Sequence, residues 1–180
     1  MARVILVRHA ESESNRGGGL DGGQNSPLSR RGRAQAAAAG RAFAGFDARG
    51  FALLTSPLDR AVDTAAAIGA AIGAAPIADV RLSAGETWAA RALDLDDPAT
   101  LPVVGEMVLA ALAERIDAGA ATIVAVSHRY PIWALLVRLM GDRGTALMDA
   151  LDNLANGDQL ELFLAGDAVV GAPIHRPLRG

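Results

Sequence analysis

Two stretches decide the fold: Ala2-Arg3-Val4-Ile5-Leu6-Val7-Arg8-His9 at the start, and Ala121-Thr122-Ile123-Val124-Ala125-Val126-Ser127-His128 much further on. Each is a short apolar run rich in β-branched residues, and neither alternates with polar residues. That pattern predicts strands buried on both faces, as in a parallel sheet. Both runs end on a polar pair that contains histidine. Phe51–Thr55 (FALLT) reads as a further strand of the same kind, and Ile77–Leu82 as a third.

Helices fall between these strands. Pro27 and then Ser29, as N-cap, open a helix through Ala34–Ala44. Ser56 and Pro57 form an N-cap and N1 pair for a helix running to about Gly73. Val103–Ala118 carries apolar residues at helical spacing, and Pro131–Met140 reads as a helix that Gly141 stops. Asp158–Leu164 and Ala168–Val170 flank Ala165-Gly166-Asp167 and predict a terminal hairpin, after which Pro173–Gly180 reads as extended and exposed. Residues Ser83–Pro102 show no clear period. The expectation is therefore an α/β fold, a three-layer sandwich with a mostly parallel central sheet flanked by helices. It forms one domain over residues 1–180, with a loop-rich insertion at about 83–102.

Composition narrows the chemistry. The chain has 180 residues, of which 51% are hydrophobic and 21% charged, with a net charge of -3. That is apolar enough for a full core, with about 70% of the unfolded surface buried, and too weakly charged for disorder. No cysteine occurs, which excludes a disulfide framework, a zinc ribbon and a thiol nucleophile. All 17 basic residues are arginine, which excludes a Schiff-base lysine and a phosphate-loop lysine. The mild acidity predicts no nucleic-acid partner. The N-terminal apolar run is cut by Arg8 and His9, and the Ala/Gly-rich run between Asp63 and Asp79 falls short of the roughly 20 residues of a membrane helix. We therefore expect no membrane association and a cytoplasmic protein. Ala-rich helix surfaces would permit a homodimer and would equally suit burial on the sheet.

In parallel sheets, ligands sit beyond the carboxyl ends of the strands. That rule points to Arg8-His9, to Ser56 through Arg60, and to Ser127-His128. If the three strands are neighbours, Arg8, His9, Arg60 and His128 converge in a compact cationic pocket. Guanidinium forks and helix N-termini suit a phosphate or a similar tetrahedral oxyanion. With no cysteine and no Ser-His-Asp set, the nucleophile expected is an imidazole, which must be neutral to attack. A carboxylic acid would then protonate the leaving oxygen.

The motifs resemble those of the histidine phosphatase superfamily, the branch of cofactor-dependent phosphoglycerate mutases and small phosphatases. Arg8-His9-Ala10-Glu11, with Asn15 downstream, resembles its Arg-His-Gly-Glu signature. Ser26-Pro27-Leu28-Ser29 with Gly32 and Gln35, Ser56-Pro57-Leu58-Asp59-Arg60 with Thr64-Ala65, and Val126-Ser127-His128 follow in family order, and Asn153 resembles a late Asn before the last strand. The resemblance implies His9 as phospho-acceptor, with Arg8, Arg60, His128 and Asn15 as phosphate ligands. It implies no metal and no other cofactor.

The sequence departs from the family pattern at three places. Ala10 stands where Gly is usual, and Arg129 follows His128 where Gly is common. The acid is out of register in Arg81–Ala90 (RLSAGETWAA). Glu86 is the nearest candidate donor, with Asp79 and Asp94 as alternatives. Glu106, in Gly105-Glu106, resembles a motif that begins the following helix. Ser127 is expected to cap the turn after it, Glu11 and Glu13 to be loop carboxylates, and His175 to lie on the surface. Trp88 suits a substrate pocket or the packing of the insertion.

Mutases of that family carry longer insertions around the active site, so with the short stretch between Arg60 and Ser127 the resemblance implies a metal-independent phosphomonoesterase, acting through phosphohistidine on a small phosphorylated substrate. A phosphoglycerate-type mutase is the alternative, along with a non-catalytic protein that binds a phosphorylated ligand.

Overall fold

The computed structural model describes residues 1–16, 25–46, 50–83, 99–152 and 154–178. Seven strands form one sheet: β1 (Ala2–Arg8), β2 (Phe51–Thr55), β3 (Ile77–Ala78), β4 (Thr122–Ser127), β5 (Gln159–Ala165), β6 (Ala168–Val169) and β7 (Ile174–Arg176). Their order is β3-β2-β4-β1-β5-β6, with β7 also pairing β5. The first four strands run parallel, and β5 pairs antiparallel with β1, β6 and β7. Helices α1 (Arg30–Ala42) and α2 (Asp59–Ile72) cover one face. Helices α3 (Thr100–Asp117), α4 (Arg129–Met140) and α5 (Asp142–Ala150) cover the other.

Alternation along each strand divides the core in two. Val4 and Leu6 of β1, Ile123 and Ala125 of β4, and Leu160, Leu162 and Leu164 of β5 point to the α3–α5 side. Ile5 and Val7, with Val124 and Val126, point to α1 and α2, where Ala39, Phe43, Ala61, Ala65 and Ile68 meet them. The unbroken apolar runs of β1 and β4 thus reflect helices on both faces. Gly105 lets α3 lie close on α4, since a Cβ there would stand 2.3 Å from the Ala134 carbonyl oxygen.

The expected α/β architecture is what the chain adopts, and the hairpin β5–β6 lies where the pattern predicts it. Ser29 caps α1, its Oγ accepting from the Gly32 N–H, and Gly73 ends α2 with φ 71°. Other expectations need correction. The predicted strand over Ile77–Leu82 stops after Ala78, because Asp79 Oδ1 accepts from the Arg81 N–H and the Asp79 carbonyl from the Leu82 N–H, turning the chain into a 3-10 helix over Val80–Ser83. The N-cap of α2 is Leu58 rather than Ser56. Helix α3 begins at Thr100, inside the stretch read as loop, and most of the remaining insertion lies outside the described residues. Helix α5 has no counterpart in the sequence reading. The tail read as extended and exposed is extended, with Ile174 and Arg176 exposed, and it adds β7, which pairs with Gln159–Glu161. No helix among the described residues is long and apolar enough to cross a membrane.

Candidate active site

Register sets the site. Arg8 pairs with Ser127 and Thr55 with Val126, so β1, β2 and β4 end level. The ladder continues for one residue beyond, with the His9 N–H donating to Ser127 and the Ser56 N–H donating to Val126. His9, Ser56 and His128 therefore stand side by side at the carboxyl edge. The His9 and His128 ring centroids are 4.9 Å apart, and both residues are buried. Arg60, on the first turn of α2, is 3% exposed, and its Nε–H donates to His9 Nε2 at 3.2 Å.

That hydrogen bond fixes the protonation of His9. Nε2 accepts, so Nδ1 carries the proton and donates it to the Ala10 carbonyl at 2.7 Å. The ring is neutral: burial first, then the Arg60 and Arg8 charges, lower its pKa to about 3, against the hydrogen bond to Ala10. Burial likewise holds the His128 pKa well below the usual imidazole value, helped by His9, Arg60 and Arg8. His128 Nε2 and Ser56 Oγ share a 2.8 Å hydrogen bond. His128 Nδ1 is buried and has no partner among the described residues.

The loop after His9 is held from several sides. Thr64 Oγ1 accepts from the Ala10 N–H and donates to the Arg60 carbonyl, tying the His9 loop to the helix that carries Arg60. Gln35 Oε1 accepts from the Glu11 N–H, and Ser29 Oγ donates to Glu11 Oε1. Gly32 passes so close to Glu11 that a Cβ would fall 1.8 Å from its carbonyl oxygen. The Ser29–Gly32–Gln35 pattern is thus a clamp on the loop, which is a physical reason for those residue types at those positions.

Arg8 Nη1 donates to the Leu154 carbonyl at 2.6 Å. Leu154 is buried with φ 60°, a left-handed backbone that costs a leucine roughly 1–2 kcal/mol. Local strain of this kind is held in place by surrounding contacts.

The structure brings together Arg8, His9, Arg60 and His128. Asn15, half-buried, stands at the end of the loop clamp. Its Oδ1 accepts from the Ser12 N–H and Oγ–H, and also faces Asn156 Nδ2 at 3.5 Å. Glu86, Asp94, Trp88 and Asn153 lie outside the described residues. Asp79 is engaged by Arg81, which donates from its backbone, Nε and Nη2, and this hydrogen bonding lowers its pKa. Such a carboxylate holds its charge and is a poor proton donor. Ser127 does not cap α4. Its Oγ donates to the Leu82 carbonyl and ties β4 to the 3-10 helix. Arg129 is exposed at the start of α4, and His175 is half-buried with its Nε2 2.8 Å from Asp158.

Sequence reading missed Asn156, whose Nδ2–H donates to the His9 carbonyl at 2.9 Å. The signal was present as Asn156-Gly157, a turn dipeptide directly before β5.

Comparison with known proteins agrees with this geometry. The family model for the histidine phosphatase superfamily (branch 1) matches residues 4–85, the stretch that carries Arg8, His9 and Arg60. Over that stretch the chain is similar to the histidine phosphatase superfamily. Solved structures share the fold over nearly the whole chain. A putative α-ribazole-5′-phosphate phosphatase from Escherichia coli has a TM-score of 0.70 at 20% identity, over 99% of this chain and 96% of that one. A mycobacterial glucosyl-3-phosphoglycerate phosphatase in complex with VO3 has a TM-score of 0.68 at 23% identity, over 91% and 93%. A phosphoserine phosphatase from Entamoeba histolytica, bound to phosphoserine, has 0.67 at 21%, over 98% and 96%. No curated protein sequence matches the chain.

Proposed function

We propose that the protein is a phosphomonoesterase that hydrolyses a small phosphorylated metabolite through a phosphohistidine on His9. One observation carries this reading: His9 Nε2 is a neutral lone pair, held in its tautomer by Ala10, beside Arg60 and His128. A ring with a pKa of about 3 leaves Nε2 unprotonated at any physiological pH, and its lone pair is released for attack when the Arg60 Nε–H turns from it to the incoming phosphate.

In the first step, His9 Nε2 attacks phosphorus. The N–P bond forms as the ester P–O bond breaks, and the leaving oxygen takes a proton. Arg8, Arg60 and His128 hold the equatorial oxygens, where charge on the transferring group is stabilised. For His128 to donate from Nδ1, Ser56 Oγ–H must donate to Nε2, a direction that the 2.8 Å contact allows and that the partnerless Nδ1 favours. Asn15 contributes its side-chain amide. In the second step, water attacks phosphorus and gives up a proton, inorganic phosphate leaves, and His9 returns to its neutral form. The sum is ester plus water to alcohol plus phosphate.

We assign the proton donor, and the base of the second step, to Glu86. Three carboxylates near the strand ends are otherwise occupied: Glu11 accepts from Ser29, Asp79 from Arg81, and Asp158 from the Leu178 N–H beside His175. The phosphatase names of the structural neighbours support a small organic phosphate as substrate. We place the protein in the cytoplasm, as one domain.

The test is hydrolysis of p-nitrophenyl phosphate in EDTA. The expected result is turnover by the wild type, none by His9→Ala, and phosphate trapped on His9 of the wild type after acid-free quenching. Phosphate binding without either turnover or phosphoenzyme, across a panel of phosphorylated metabolites, would instead make the protein a phospho-ligand binder.

A further inference from the structure

Strand alternation leaves part of the sheet poorly covered. Leu160 and Leu162 of β5 point to the α3–α5 side, so Gln159 and Glu161 point to the other, beyond the edge of α1. There, between α1 and the segment from β7 to Leu178, lies a cleft of about 580 Å3. That volume falls within the range of small-molecule sites, which run to roughly 300–1,000 Å3.

Its lining combines two kinds of surface. Phe43, Phe46 and Leu178 provide apolar walls, and three arginines, Arg3, Arg41 and Arg176, reach it from three elements. Glu161, 3% exposed, lies between two of them. Arg3 Nε–H donates to its Oε1, and Arg176 donates from Nε and Nη2 to its Oε2. The two arginines keep donors in hand. The Nη groups of Arg3, whose guanidinium carbon stands 4.9 Å above the Phe46 ring, and Nη1 of Arg176 make no hydrogen bond among the described residues. Arg41 is exposed and has no ion pair there. The three guanidiniums therefore outnumber the single carboxylate that neutralises them. The nearby Asp158 carboxylate is closed off by the Leu178 N–H and His175.

A second observation points to a ligand independently of the charge. Gln159 is only 7% exposed, lines the cleft, and its side-chain amide makes no hydrogen bond among the described residues. The amide atoms stay open to the cleft, where a ligand can pair with them.

We propose that this cleft is a second ligand site, separate from the His9 pocket, for a small amphiphilic anion. The anionic head, a carboxylate or a phosphate, would take the spare arginine donors and the Gln159 amide. An aromatic or aliphatic body would lie against Phe43, Phe46 and Leu178. The site lies on the sheet face next to α1, whereas His9 and His128 lie at the carboxyl edge.

The probe is 8-anilinonaphthalene-1-sulfonate, titrated by fluorescence with excess inorganic phosphate present to fill the His9 pocket. Saturable binding of one probe per chain is expected. Arg41→Glu, an exposed change on α1, should weaken it about fivefold or more, the scale of one exposed charge contact. Gln159→Leu should also weaken it, and both variants should hydrolyse p-nitrophenyl phosphate within about twofold of wild type. Competition by 1-naphthoate against 1-naphthylphosphonate then decides between a carboxylate and a phosphate head. The proposal is overturned by the absence of saturable binding both with and without inorganic phosphate, or by affinity unchanged in Arg41→Glu. None of these outcomes bears on phosphohistidine chemistry at His9.

Discussion

Arg8 and Arg60 surround two imidazoles at the edge of the sheet, whereas Arg3 and Arg176 surround one carboxylate on its face. The same side chain has opposite consequences in the two places. At the edge, guanidinium charge and burial together drive protons off His9 and His128. On the face, hydrogen bonds from Arg3 and Arg176 outweigh burial and hold the Glu161 pKa below the usual carboxylate range. The face carries its counter-ion within the fold. At the edge, the imidazoles stay neutral beside the guanidiniums, which is the state a histidine nucleophile needs under the proposed function.

The largest effect expected from breaking this contrast is at His9. His9→Ala should lower turnover of p-nitrophenyl phosphate by about 10⁴-fold or more, since removing a nucleophile removes the covalent route. Inorganic phosphate should still bind through Arg8, Arg60 and His128, as titration calorimetry would show. A variant with a tenth of wild-type turnover would rule out His9 as the phospho-acceptor.

Next comes the clamp beneath the nucleophile. Gly32→Ala puts a methyl 1.8 Å from the Glu11 carbonyl oxygen, and backbone cannot move aside as a flexible side chain could. We expect about 1–3 kcal/mol of lost stability in urea, the usual scale of overpacking, together with a fall in kcat as the His9 loop shifts. A Gly32→Ala protein with wild-type kcat would show that the loop is held without that close approach.

Acid sharpens the comparison. Folded His9 titrates near 3 and folded His128 well below 6.5, while in the unfolded chain both titrate near 6.5. Below 6.5 the unfolded state takes up protons that the folded state refuses, so stability falls as pH falls from about 6.5 towards 3. Glu161 adds to the loss at the acid end, because its folded pKa is also depressed. Saturating phosphate should flatten the upper part of this profile by letting the imidazoles accept protons, and Glu161→Gln should flatten only the lower part. Urea melts at several pH values with and without phosphate measure both. A profile insensitive to phosphate would contradict the reading of the two histidines.

Much of this was legible in the chain. The unbroken runs of β1 and β4 announced a sheet covered on both faces, and the residues just past them announced the site. Where reading failed, long-range contacts were responsible. Ile77–Leu82 reads as a strand, yet Arg81 donates to Asp79 and reaches across to Glu114 on α3, and the chain curls. The Ser56-Pro57 pair looks like a helix start, yet Ser56 Oγ, which accepts from the Leu58 N–H at 3.3 Å, makes its shorter bond, 2.8 Å, to His128, 72 residues away. Glu161 sits in a strand whose hydrophobic pattern is sound, and the sequence gives no hint that Arg3 and Arg176 converge on it from β1 and β7. Local propensity is a weak prior when a distant partner competes for the same group.

The smallest effect expected is at Asp79, and it isolates the proton donor. Asp79 follows β3 at the same carboxyl edge as His9, so position alone makes it a rival to Glu86. Its contacts set it apart: Arg81 donates to it three times over and also pairs with Glu114, so the carboxylate is a fixed link in a charge network. A donor must hold a proton when the leaving oxygen needs it, and this group is held deprotonated. Asp79→Asn should therefore leave kcat on p-nitrophenyl phosphate within about threefold. It should lower stability by about 1 kcal/mol at most, since Arg81 keeps Glu114 and the site is partly open to water. Glu86→Gln should lower kcat by about 10²–10⁴-fold, and less for a leaving group as acidic as p-nitrophenol than for an alkyl phosphate such as phosphoserine. A donor effect depends in this way on the leaving group's pKa, whereas a structural effect does not. If Asp79→Asn instead showed that dependence and Glu86→Gln did not, the donor would be Asp79, and the Arg81 network would have to open during turnover.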